Sequence, residues 1–131
     1  MIFLDANVIV DILSAREGYI ASSKILEDIK DRKEKGCLSA FTVPIVWYVM
    51  GENRKFLKEI ESLIRYFKIM PLNLQMLNTS FSSQLEDFEG PIQLNSAIKG
   101  KCSVLITRNK KDFASSKMLV LTPEEFLALK K

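Results

Sequence analysis

Short apolar runs alternate with helical segments from one end of the chain to the other. Residues 2–4, 37–40, 68–70, 104–106 and 118–121 read as strands, too short and too apolar for anything but the inside of a sheet. Between them, apolar residues recur at helical spacing. Helices are predicted over about residues 7–13, 19–35, 43–50, 53–67, 73–84 and 87–99, with a short turn or helix at 109–113. Ile20, Ile25, Leu26 and Ile29 mark the buried stripe of the second. Phe56, Ile60, Leu63, Ile64 and Phe67 mark that of the fourth. Strict alternation of this kind builds an α/β/α sandwich around a central, mostly parallel sheet of about five strands.

Glycine, proline and capping residues punctuate the pattern. Gly18 breaks the chain after the first helix, Gly36 closes the second, and Gly100 ends the last long one. Thr42 is placed to cap the helix over 43–50. Thr122-Pro123-Glu124-Glu125 starts a closing helix: Thr caps, Pro fills the first turn, and Glu suits the positive helix end. No repeat, linker or low-complexity tract interrupts residues 1–131, so a single domain is expected.

The hydrophobic content of 47% and charged content of 27% are those of a soluble globular protein. No apolar stretch approaches the roughly 20 residues that span a bilayer, and the longest candidate, 41–50, contains Pro44. Asp5 interrupts the first apolar run, which argues against a leader segment, so a cytoplasmic chain without a membrane partner is expected. Histidine is absent, which excludes His-based acid–base, nucleophilic or metal chemistry. Cys37 and Cys102 lack CxxC spacing and read as buried thiols. A net charge of +3 permits nucleic-acid binding without demanding it.

Two of the strands end in acid-bearing polar turns. Leu4-Asp5-Ala6-Asn7 follows the first, and Thr107-Arg108-Asn109-Lys110-Lys111-Asp112 follows the fourth. Right-handed crossovers align the carboxyl ends of parallel strands along one edge, where sites gather in open α/β sheets. Asp5, the turn at 39–42 and the 107–112 segment are expected to converge there. Carboxylates brought together in this way are the start of a hard-metal site.

These residues resemble the motifs of the PIN-domain family, and within it the VapC-like toxin ribonucleases. Leu4-Asp5-Ala6-Asn7-Val8-Ile9-Val10-Asp11 looks like the family's first motif and Leu38-Ser39-Ala40-Phe41-Thr42-Val43 like its second. Asp87-Phe88-Glu89-Gly90-Pro91-Ile92-Gln93, continuing to Ala97, resembles the third. Ile106-Thr107-Arg108-Asn109-Lys110-Lys111-Asp112-Phe113 resembles the fourth, and residues 121–127 resemble a closing segment of bacterial members. The resemblance implies a four-acid site that holds Mg²⁺ or Mn²⁺ and cleaves RNA phosphodiesters, in a protein paired with an antitoxin. Asp5 matches the first acid and Asp112 the last. The two middle positions fall on Ile45 and Gly90, so weakened metal binding is expected, with Glu89 and Asp87 as the nearby acids able to assist. Two functional readings follow: a ribonuclease of the toxin–antitoxin type with an impaired acidic site, and a catalytically silent module that binds RNA or a protein partner. The chemistry alone does not separate RNA from DNA as substrate.

Each residue also has a structural reading. Asp5 suits the cap of the first helix as well as a metal. Asp112 is either a site residue or a solvated acid. Asn7, Thr107 and Asn109 suit turns and caps as well as phosphate or metal-water contacts. Asp11 reads as a supporting or helix-face residue, and Asp87 and Glu89 as first-turn helix acids. Arg108, Lys110 and Lys111, with Lys99 and Lys101 on the same surface, form either an RNA-attracting patch or a solvated charge run. Trp47, Tyr48 and Met50 belong to the core or to a homodimer contact.

Overall fold

The computed structural model describes residues 1–15, 19–83 and 87–130. Five strands form one parallel sheet: β1 (Ile2–Leu4), β2 (Gly36–Ser39), β3 (Phe67–Met70), β4 (Val104–Ile106) and β5 (Leu119–Leu121). Their order is β3-β2-β1-β4-β5. From β1 the chain moves to one side through β2 and β3, then returns to the other side through β4 and β5. Ile2 pairs with Gly36 on one flank and with Val104 on the other. The reversal of winding lies between β1 and β4, and a crevice opens beyond the carboxyl ends of strands at such a point.

Alternation along β1 divides the core. Ile2 and Leu4 point to one face, where α1 (Ala6–Ser14), α2 (Tyr19–Lys30), α3 (Thr42–Val49), α4 (Arg54–Ile64) and α7 (Pro123–Leu129) supply Val8, Ile9, Ile25, Val46, Ile60 and Phe126. Phe3 points to the other face, against Cys37, Met70, Ala97, Leu105 and Phe113. Helix α6 (Glu89–Lys99) covers that face, and α5 (Leu74–Phe81) packs beside it. The sandwich expected from alternation is therefore observed. No helix among the described residues is long and apolar enough to cross a membrane.

The element ends differ from expectation in an instructive way. Helix α2 stops at Lys30 rather than at residue 35, because Arg32 adopts a left-handed conformation with φ 61°. The Arg32 and Lys33 N–H groups then donate to the Ile29 and Asp28 carbonyls, at 3.1 and 2.8 Å. Gly36 does not close the helix; it opens β2, where a Cβ would stand 2.7 Å from the Phe67 ring and 2.8 Å from Ile29 Cδ1. At the end of α6 Gly100 is the C-cap, as expected, but with helical dihedrals; the left-handed residue is Lys101 after it, with φ 60°. A Cβ on Gly100 would meet Cys37 Sγ at 3.1 Å. Both glycines are set by close packing, not by turn geometry.

Helix α4 ends at Ile64, and Phe67 belongs to β3 rather than to the helical stripe. Thr42 does not cap α3. It lies within the helix, and the Phe41 N–H donates instead to Ser39 Oγ at 3.1 Å. Thr122 caps α7 as expected, with the reciprocal bond from its own N–H to the Glu125 carboxylate. The break assigned to Gly18 and the helix end assigned to Gln84 lie outside the described residues. Cys37 and Cys102 are free and buried, as read from their spacing.

Candidate active site

Asp5 leaves β1 in extended conformation and stands as the cap of α1. Its Oδ1 accepts the Ala6 N–H at 2.8 Å. Its Oδ2 accepts the Thr107 hydroxyl at 2.8 Å and the Asn7 amide at 3.1 Å. The capping reading and the site reading thus hold at once, one on each oxygen. Asn7 also donates to Thr107 Oγ1 and accepts the Arg108 N–H. The Asn109 N–H donates to Thr107 Oγ1. These bonds tie the turn after β1 to the turn after β4. Arg108 adds an ion pair to the buried Asp11 carboxylate at 2.8 Å.

Asp5 is 8% exposed. Burial pushes its carboxyl up to about 6, against the hydrogen bonds from Thr107 and Ala6, and the nearby charges of Asp112 and Glu89 add to the rise. A carboxylate held under that pressure is relieved by a cation.

Beside Asp5 lies a cavity of about 200 Å³ at the carboxyl end of β1 and β4. Asp5, Asp87, Glu89 and Asp112 all line it, with Asn7 and Asn109. Asp112 comes from the short 3₁₀ helix Lys110–Phe113, anchored by buried Phe113. Glu89 and Asp87 stand at the start of α6, where Asp87 accepts the Gly90 N–H at 3.0 Å, as a helix-start acid does. Ile45, Val49 and Val10 make the wall apolar.

Other candidates lie elsewhere. The turn at 39–42 contributes none of the lining residues. Lys110 reaches the Glu125 carboxylate at 3.0 Å. Lys99 and Lys101 do not share the surface of the site: they lie at the far end of α6, about 15 Å along its axis from Glu89. Gln93 also lines the cavity, and sequence reasoning did not single it out. The available signal was a polar residue on the buried stripe of α6, between Ile92 and Ala97.

The chemistry of the donors suits a hard divalent cation, because every polar group in the cavity presents oxygen or amide. Among the described residues, no three carboxylates form a ready-made cage.

A family model for the PIN domain matches residues 1–111. The chain belongs to the PIN-domain family. It is 27% identical over 133 residues to Ribonuclease VapC1 of Aquifex aeolicus (strain VF5), covering 95% of this chain and 92% of that protein. Among solved structures, it superposes on a chain of a toxin–antitoxin complex from Klebsiella pneumoniae with TM-score 0.71 at 23% identity, over 94% of this chain and 98% of that one. It also superposes on a chain of FitAcB from Neisseria gonorrhoeae with TM-score 0.66 at 21% identity, over 95% and 99% of the two chains. The PIN fold explains why acids from both ends of the sequence meet: β1 and β4 are neighbours at the reversal of strand order.

Proposed function

We propose that this PIN-domain protein is a metal-dependent endoribonuclease of the toxin–antitoxin type, with an acidic site weakened at Ile45 and Gly90. One observation carries the reading: Asp5, Glu89, Asp87 and Asp112 line a single cavity at the switch point of the sheet. Asp5 and Asp112 hold Mg²⁺ or Mn²⁺, and Glu89 and Asp87 assist. Such an ion, when bound, activates water and offsets charge on phosphate oxygens. Thr107 and Asn7 orient the Asp5 carboxylate by donating to its Oδ2. Asn7 and Asn109 line the cavity that an RNA backbone approaches, buried Thr107 braces the turn behind them, and the exposed Arg108 and Lys110 flank it, each held by an acid, Asp11 and Glu125. The structural likeness to a chain of a toxin–antitoxin complex supports an antitoxin protein as partner, and a homodimer is the proposed assembly.

A second reading, a silent module that binds RNA or protein, draws on the apolar Ile45 in the cavity wall and on the absence of a three-carboxylate cage among the described residues.

The test is cleavage of a generic single-stranded RNA with Mn²⁺ by the parent, Asp5→Asn and Gly90→Asp. The parent is expected to cleave slowly and Asp5→Asn to lose that activity. Gly90→Asp is expected to cleave faster, although a Cβ there would stand 2.8 Å from Asp87 Oδ1 and must displace that cap. A parent as fast as Gly90→Asp, and still dependent on Asp5, would show that Glu89 or Asp87 already completes the site. RNA binding with no cleavage by any variant would favour the silent module.

A further inference from the structure

Gln93 is 1% exposed, and neither its Oε1 nor its Nε2 has a hydrogen-bond partner among the described residues. A buried amide in that state is destabilising, and native structures rarely tolerate one without a reason. Its position supplies the reason. Gln93 lines the cavity together with Asp5, Glu89 and Asp112. It stands three residues after Gly90 and four after Glu89 in α6, so the three share one face of the helix. Side chains on a helix lean toward its N-terminus and cover the preceding turn. Helix geometry therefore places the Gln93 side chain toward the level of Gly90, where the Asp87 carboxylate stands 2.8 Å from where a Cβ would be. Gln is also one methylene longer than Asp.

We propose that the Gln93 side-chain carbonyl is a neutral oxygen ligand of the divalent cation or of its bound water, standing in for the carboxylate missing at position 90. The inference rests on the reading of this cavity as a metal site. Exchanging an anionic oxygen for a neutral one lowers the charge of the site while keeping the number of donors, which weakens affinity without abolishing it.

The experiment is calorimetric titration of Mn²⁺ alone into the full chain, comparing the parent with Gln93→Leu, Gln93→Met, Gln93→Glu and Asp5→Asn. Thermal unfolding in EDTA accompanies each titration. Gln93→Leu and Gln93→Met should bind Mn²⁺ about tenfold more weakly, and Gln93→Glu about tenfold more tightly, as ligand charge dictates. Without metal the two apolar variants should unfold no earlier than the parent, since each removes an unpartnered amide. Two apolar variants that fold and bind Mn²⁺ as well as the parent, while Asp5→Asn does not bind, would overturn the role of Gln93 and leave the metal site standing. A parent that binds no Mn²⁺, or binds it independently of Asp5, would overturn the metal-site reading itself and this inference with it.

Discussion

At the scale of single residues, Asp5 does two jobs that oppose one another. Its hydrogen bonds from Ala6, Asn7 and Thr107 hold it in place, and its burial disfavours the charge it needs for binding a cation. Because its folded value rises from 3.8 to about 6, the native state binds the proton more tightly than the unfolded chain. Stability from this group is complete below the unfolded value and is lost as pH rises through about 6. Asp5→Asn cannot lose it. At pH 7 the variant is expected to be more stable by about 1 kcal/mol, less than the full linkage because Asn presents N–H groups to two donors. The corresponding rise in Tm is about 4 °C, and it should vanish in melts below pH 4. A variant less stable than the parent at pH 7 would refute the strained-acid account. The same proton competes with metal, so Mn²⁺ affinity of the parent should climb by about tenfold per pH unit from pH 5 until it levels off above about 6.

At the scale of elements, two helix ends decide where the strands begin. Arg32 and Lys101 take the left-handed position that glycine fills more comfortably, while the nearby Gly36 and Gly100 are consumed by packing. Their roles separate by substitution. Gly36→Ala should cost about 1–3 kcal/mol, because the added methyl meets Phe67 and Ile29. Lys101→Gly should gain up to about 1 kcal/mol by relieving the left-handed strain. Urea unfolding of both variants checks the pair, and a neutral Gly36→Ala would mean that β3 can shift to accept it. The sequence placed the end of α6 correctly at Gly100, its C-cap, but assigned the end of α2 to Gly36 when the helix stops at Lys30. Glycine marks a helix end and a tight contact with the same letter, and only the partner atoms distinguish them.

At the scale of the whole molecule, the acidic cavity is built from chain ends and middle together: Asp5 from the start, Glu89 from α6, Asp112 from near the end. The Asp11–Arg108 ion pair closes the same connection on the buried side of α1. Next to the cavity wall formed by Val49, Tyr48 is 76% exposed and Val49 44%, with Trp47 half-buried beside them. An exposed apolar group of this kind suits the centre of a symmetric contact. The protein is expected to sediment as a homodimer and Tyr48→Glu as a monomer. A parent that remains monomeric at high concentration would remove that expectation.

The sequence by itself determined the layers, the number of strands and the two acid-bearing turns. Periodicity records which face of an element meets the core, and short apolar runs between helices admit few other folds. The pairing of Asp5 with the turn after β4 was legible for the same reason, since parallel strands align their carboxyl ends. The tertiary structure alone decided which side chains point into the cavity. Lys110 turned to Glu125, the turn at 39–42 stayed out, and Asp87 capped the Gly90 N–H. Gln93, ordinary in the sequence, proved to be a buried amide with no partner among the described residues, in a cavity lined by four carboxylates. Such facts depend on distances between residues far apart in the chain, and neither local periodicity nor residue type carries those distances.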